Sequence, residues 1–119
     1  MRIGVPKEIK NREYRVGLTP ESVSELQRDG HDILIERGAG HSIGASDEAY
    51  VQAGAQITDV DAIFDAADII VKVKEPQAEE RQKLKQGQIL YTYLHLAPDL
   101  PQTTDLIDSG ATCIAYETV

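Results

Sequence analysis

The sequence predicts a three-layer α/β domain, with a mainly parallel sheet covered by helices on both faces. Short apolar runs rich in Val and Ile recur along the chain, and each is followed by a stretch with helical spacing. Gly, Pro or Asp punctuates most of the joins. The third observation is size: 119 residues, 41% hydrophobic and 27% charged, suffice for one core and not for two. Residues 1–119 are therefore expected to form a single domain.

"RIGV" (2–5) is the first strand, closed by Pro6. Thr19-Pro20 offers an N-cap followed by proline at the first helical position, Val23 and Leu26 repeat at helical spacing, and Gly30 supplies the stop. "HDILIE" (31–36) is the second strand. Ser46 caps a short helix containing Ala49, Tyr50 and Ala53, and "AQIT" (55–58) is a brief third strand. A helical turn or two over "DVDAIFDAA" leads into "IIVKV", the fourth strand. Glu79 to Lys85 read as a charged helix, "ILYTYLHL" (89–96) as the fifth strand, Asp99 to Asp108 as a helix ended by Gly110, and "TCIAYE" (112–117) as the sixth strand. Such a chain fits a Rossmann-like or flavodoxin-like sheet.

Composition excludes several function classes. A formal net charge of -8 argues against nucleic acid or an anionic membrane as partner, since neither polyanion is drawn to such a surface. No apolar run approaches the roughly 18 to 20 residues that span a bilayer, and Pro6, Lys7 and Glu8 interrupt the first one. The expectation is a soluble, cytoplasmic protein. The single Cys113, inside "ATCIAY", reads as a core residue in a reducing compartment. His31, His41 and His95 show no ligand spacing, so no metal is expected. "GAGHSIG" (38–44) invites a dinucleotide reading, but its third glycine falls one residue late for G-x-G-x-x-G, and the next helix starts only near Ser46. It reads as a glycine-rich turn, and no cofactor site is expected in this segment.

Two lysines in the fourth apolar run need an explanation. In open α/β sheets, ligands bind at the carboxyl ends of the strands, where side chains leave the packed sheet. "IIVKVKEP" places Lys72, Lys74 and Glu75 at that end, "ILYTYLHLAP" places His95 there, and "TCIAYE" ends in Glu117. The loop after the first strand adds Lys7, Glu8, Arg12, Glu13 and Arg15. Cations gathered on one rim suggest an anionic ligand, although a solvated strand end with snorkelling lysines explains Lys72 equally well.

"MRIGVPKEIKNREYRVGLTP", "GAG", "AGAQI", "VKVKEP", "GQILYTYLHLAP" and "IAYETV" together closely resemble the amino-terminal part of bacterial alanine dehydrogenases, from Met1 to Val119. The transhydrogenase family shares the opening pattern and the "GAG" turn but generally lacks the second lysine of "KVKEP" and the histidine of "LHLA", both present here. Saccharopine dehydrogenases are more distant. The resemblance implies an NAD-dependent enzyme that interconverts L-alanine with pyruvate and ammonium. By motif it implies that Arg15 binds the substrate carboxylate, Lys74 holds the carboxylate or carbonyl oxygen, and His95 is the general acid/base, so that Lys74 and His95 are the catalytic pair. Lys72 is assigned no catalytic role, and Glu75 is a counter-charge or shapes the strand exit. The resemblance also implies a homo-oligomer, a hexamer, and an NAD-binding domain beyond Val119. The chain alone is then expected to be inactive, to bind no NAD and to expose apolar surface. A transhydrogenase alpha-subunit domain and a stand-alone keto-acid binding or interaction module are the alternatives.

Overall fold

A computed structural model describes residues 1–96 and 99–116. Strands β1 (Arg2–Val5), β2 (Asp32–Glu36), β3 (Gln56–Thr58), β4 (Ile69–Val71), β5 (Ile89–Thr92) and β6 (Thr112–Ala115) form one sheet in the order β3-β2-β1-β4-β5-β6. Every neighbouring pair is parallel. This is the strand order of a doubly wound Rossmann sheet, as the alternation of elements predicts.

Helices join the strands: α1 (Pro20–Arg28), α2 (Asp47–Gln52), α3 (Val60–Ala66), α4 (Ala78–Arg81) and α5 (Leu100–Ser109). Their ends follow local chemistry. Thr19 Oγ1 accepts the Ser22 amide, Ser46 Oγ that of Ala49, Asp59 Oδ1 that of Ala62 and Asp99 Oδ1 that of Gln102. Each such cap contributes about 1 kcal/mol by satisfying an amide that the first turn leaves unpaired. Gly110, at φ 74°, ends α5 in the left-handed conformation.

The strand period of two sorts the core into two layers. Ile3, Val5, Ile33, Ile35 and Val71 face α1 and α2, packing with Val23 and Tyr50. Ile70 and Leu90 face the other way, onto Ile63 and Phe64 of α3 and Leu106 of α5. Tyr50 is fully buried, and its hydroxyl donates to the Leu18 carbonyl at 2.7 Å, so a polar tip costs the core nothing. Gly4 lies under α3: a Cβ there would approach Ile63 Cγ2 to 2.6 Å and Ala67 Cβ to 2.9 Å. Over β5 and β6 the α1/α2 face carries Ile89, Tyr91 and Ile114 in adjacent register, with Ile114 38% exposed. Tyr91 and Tyr93 both meet Tyr116 edge-on, with ring centroids 4.3 and 4.9 Å apart. Apolar surface is thus exposed on this strip. Cys113 is only half-buried, against the α3/α5 layer, rather than a full core residue.

Four elements differ from the sequence reading. β4 stops at Val71, because Lys72 and Val73 continue beside β5 only through the Lys72 amide to Tyr91 O and the Tyr93 amide to Val73 O. β5 stops at Thr92 rather than residue 96, and His95 has φ 51° in the left-handed region, incompatible with a strand. The charged helix at 79–85 shrinks to α4 at Ala78–Arg81. Its continuation turns inward so that Leu84 is buried. β6 ends at Ala115, and Glu117, read as the polar end of the last strand, lies outside the described residues.

Candidate functional site

Strands β1 and β4 lie side by side at the centre of the sheet, yet the chain leaves them toward opposite edges. Such a switch point opens a crevice at the strands' carboxyl ends, where ligands bind in doubly wound folds. The exits of β1, β4 and β5 converge on it and bring together most of the rim residues read from the sequence.

Lys72 is the exception. Its side chain is 1% exposed, with Nζ 2.9 Å from Glu80 Oε2 and 3.2 Å from Glu8 Oε1. Neither a solvated strand end nor a snorkelling lysine describes it. It is a buried cation between two buried carboxylates. Burial pushes the Glu80 carboxyl above its ordinary pKa, against the pull of the Lys72 ammonium. Glu80 Oε1 accepts the Gln77 amide at 2.9 Å, so one side chain both caps α4 and faces the lysine.

Glu8 is the hub of this cluster. Oε2 accepts the Val73 amide at 3.1 Å and Oε1 accepts the Lys74 amide at 3.0 Å. Thr92 Oγ1, fully buried at the end of β5, donates to the Lys74 carbonyl at 2.9 Å. Two buried side chains, Glu8 from the loop after β1 and Thr92 from the end of β5, thus hold both peptide groups of Lys74. The Lys74 side chain, half-buried, makes no ion pair within the described residues and lies near enough to Glu13 for its charge to act on that carboxyl.

Arg15 is exposed and grips Glu13 side-on, Nε to Oε2 at 3.0 Å and Nη2 to Oε1 at 2.9 Å. The hydrogen bond from the Arg15 side chain holds the Glu13 carboxyl down at about 2. The Nε–Nη2 edge is occupied, and the Nη1 side of the fork is left for another acceptor. Gly17 fixes where this loop crosses the sheet, since a Cβ would sit 2.6 Å from the Val71 carbonyl oxygen. The counter-charge role expected of Glu75 is met by Lys10, with which it forms a hydrogen-bonded ion pair. Burial is the largest influence on Glu75 and opposes its ionisation, but the Lys10 hydrogen bond, a backbone hydrogen bond and the charges of Lys10 and His95 together keep the carboxyl below its ordinary pKa.

His95 is exposed at the far side of the rim and stacks on Tyr93, ring centroids 6.2 Å apart. Gln102, fully buried on α5, donates to the Leu94 carbonyl at 2.8 Å and so ties the residue before His95 to the core. Left-handed backbone at a non-glycine residue is costly and concentrates where side chains are aimed for function. Arg12, at φ 64° in the loop after β1, shares it.

Chain 4–119 matches the family model described as "Alanine dehydrogenase/PNT, N-terminal domain". The chain belongs to this family. An alanine dehydrogenase of Halomonas elongata is 55% identical over 120 residues, covering 100% of this chain and 32% of that protein. A solved structure titled "L-alanine dehydrogenase" superposes with TM-score 0.95 at 48% identity, over 98% of this chain and 32% of the other. The transhydrogenase from Sinorhizobium meliloti is a more distant relative, with TM-score 0.92 and 29% identity over 98% of this chain and 35% of the other. The chain therefore spans about a third of the length of the relatives it matches.

The glycine-rich turn at 38–44 is fixed by packing and hydrogen bonds within the chain. A Cβ on Gly40 would meet Tyr50 Cε2 at 2.7 Å and Ala45 O at 2.8 Å, so this glycine serves internal packing. Asp47 Oδ1 accepts the Gly38 amide at 2.9 Å, which puts a carboxylate where a pyrophosphate would need amides. No helix among the described residues is long and apolar enough to cross a membrane.

Proposed function

We propose that this chain is the substrate-binding domain of an NAD-dependent alanine dehydrogenase, a cytoplasmic homo-oligomer that reversibly converts L-alanine to pyruvate and ammonium. What supports the reading is that Arg15, Lys74 and His95 lie on the segments that leave β1, β4 and β5 at the carboxyl ends of the central strands, in a chain about half identical to enzymes of that name. In this reading the nicotinamide cofactor is bound by a separate domain.

Each group has a role that its chemistry suits. Arg15 takes the substrate carboxylate on the side of its fork that Glu13 leaves open, which fixes the α carbon in orientation. Lys74, a compact cation on a rigidly held backbone, polarises the carbonyl oxygen of pyruvate or stabilises the oxygen that develops as water adds to the imino carbon. His95 takes the proton from that water and returns one to the departing amine. A stand-alone keto-acid binder would use Arg15 and Lys74 alike but has no need of a histidine poised for proton transfer.

The test is alanine-dependent NADH formation by the full-length gene product. Lys74→Met is expected to lower kcat/KM by about 10²–10³, the cost of removing one preorganised charge from a developing oxyanion. Undiminished turnover in that variant would overturn the assignment. Pyruvate binding without any turnover by the intact protein would favour the binding module instead.

A further inference from the structure

Lys74 has to deliver its ammonium to a fixed point, yet it lies beyond the end of β4, where the sheet no longer holds the chain. A loop position there is loose by default. Here it is not, because Glu8 and Thr92 hold the two peptide groups of Lys74 from opposite sides. Glu8 itself is buried, 7% exposed, and spans two successive amides while facing the Lys72 ammonium. We infer that Glu8 is a positioning residue for Lys74, held in place by the buried Lys72–Glu80 pair, and this rests on the substrate role proposed for Lys74.

The arrangement explains why three charged side chains are buried together on a domain of this size. A buried ion cluster is seldom a source of net stability, because desolvation cancels most of the attraction. Its use is geometric. Facing Lys72, Glu8 accepts both backbone amides at once, one on each carboxylate oxygen. Lys72 in turn is aimed at Glu8 by Glu80, whose other oxygen is fixed to the start of α4 through the Gln77 amide. The chain of contacts runs from α4 through Lys72 and Glu8 to the backbone of Lys74. A shift of about 1 Å in Lys74 can cost up to a hundredfold in rate, so the grip matters to catalysis rather than only to folding.

Glu8→Gln tests this. Glutamine retains one acceptor oxygen but turns an amide donor toward the other backbone amide, so one grip is lost. The measurement is a double-substitution cycle in the full-length protein, with pyruvate affinity read by calorimetry in the presence of NADH. Glu8→Gln is expected to weaken pyruvate binding about tenfold, and the loss should vanish in a Lys74→Gln background, since a residue that acts through Lys74 has nothing left to position. A loss of the same factor in both backgrounds would mean a purely structural role and would overturn the assignment alone. Wild-type protein that binds no pyruvate would remove the substrate reading and this assignment with it. Should Glu8→Gln not fold, Glu80→Gln reads the same grip at one remove: a loss of a few fold, again confined to proteins that retain Lys74, supports it, and a loss independent of Lys74 refutes it.

Discussion

Removing the Lys72 ammonium should be far more damaging than removing that of Lys74, two residues along the same chain. Lys72→Met leaves Glu8 and Glu80, both nearly fully buried, with no cation between them. Uncompensated buried charge of this kind costs about 3–5 kcal/mol. With a urea m-value of about 1–3 kcal/mol/M, the unfolding midpoint should fall by roughly 1–5 M. Lys74→Met, which removes a half-buried ammonium with no ion pair among the described residues, should change stability by no more than about 0.5 kcal/mol. The pH dependence has a definite sign. Burial already holds the Glu80 carboxyl above its ordinary pKa against the pull of Lys72; without the cation it rises further, so the folded protein binds more protons there than the unfolded chain. The deficit of Lys72→Met should therefore grow as pH rises above the ordinary glutamate range and shrink as it falls. Urea titrations of both variants at pH 5 and pH 8 measure this. Equal midpoints for the two variants would refute the picture of a desolvated cation that the fold depends on.

His95→Asn separates chemistry from folding, because asparagine tolerates the left-handed backbone at φ 51° but cannot pass protons near neutral pH. Stability should stay within about 0.5 kcal/mol while turnover of alanine falls by about 10²–10⁴. Glu13 is held at about 2, below its ordinary 4.5, so the stability it contributes is present above 4.5 and is lost as pH falls toward 2. The stability gap between wild type and Glu13→Gln should be constant from pH 7 to 5 and narrow by pH 3 in urea titrations; a gap that does not narrow contradicts the Arg15 pairing. Gly17→Ala forces a methyl to within 2.6 Å of a carbonyl that cannot move, so the Arg15 loop must lift from β4. We expect a loss of about 1–3 kcal/mol in urea unfolding together with a higher KM for alanine.

The fold was largely legible because its signals are local. Thr19, Ser46 and Asp99 announce helix starts, Gly110 a helix end, and the β-branched runs mark all six strands. The strand ends are less legible because apolar residues continue past them: Val73 is still buried after β4, and Leu94, after β5, packs with Ile63, Phe64 and Leu90 in the α3/α5 layer. Arg15, Lys74 and His95 could be named because strand ends and motif resemblance point to them. Lys72 could not be placed, since its burial depends on Glu8 and Glu80, which belong to other segments of the chain and which no periodicity links to it. Thr92 and Gln102 were missed for the same reason, although alternation in "ILYT" does put Thr92 on the same side of β5 as the buried Leu90.

The most direct test of the account is a structure of the full-length protein with pyruvate and NADH bound. The pyruvate carboxylate is expected at about 3 Å from the Arg15 guanidinium, the keto oxygen against Lys74 Nζ, and the imidazole of His95 within hydrogen-bond reach of the reacting carbon's substituents. Pyruvate bound away from the β1–β4 crevice, or in it with Lys74 and His95 turned away, would contradict it.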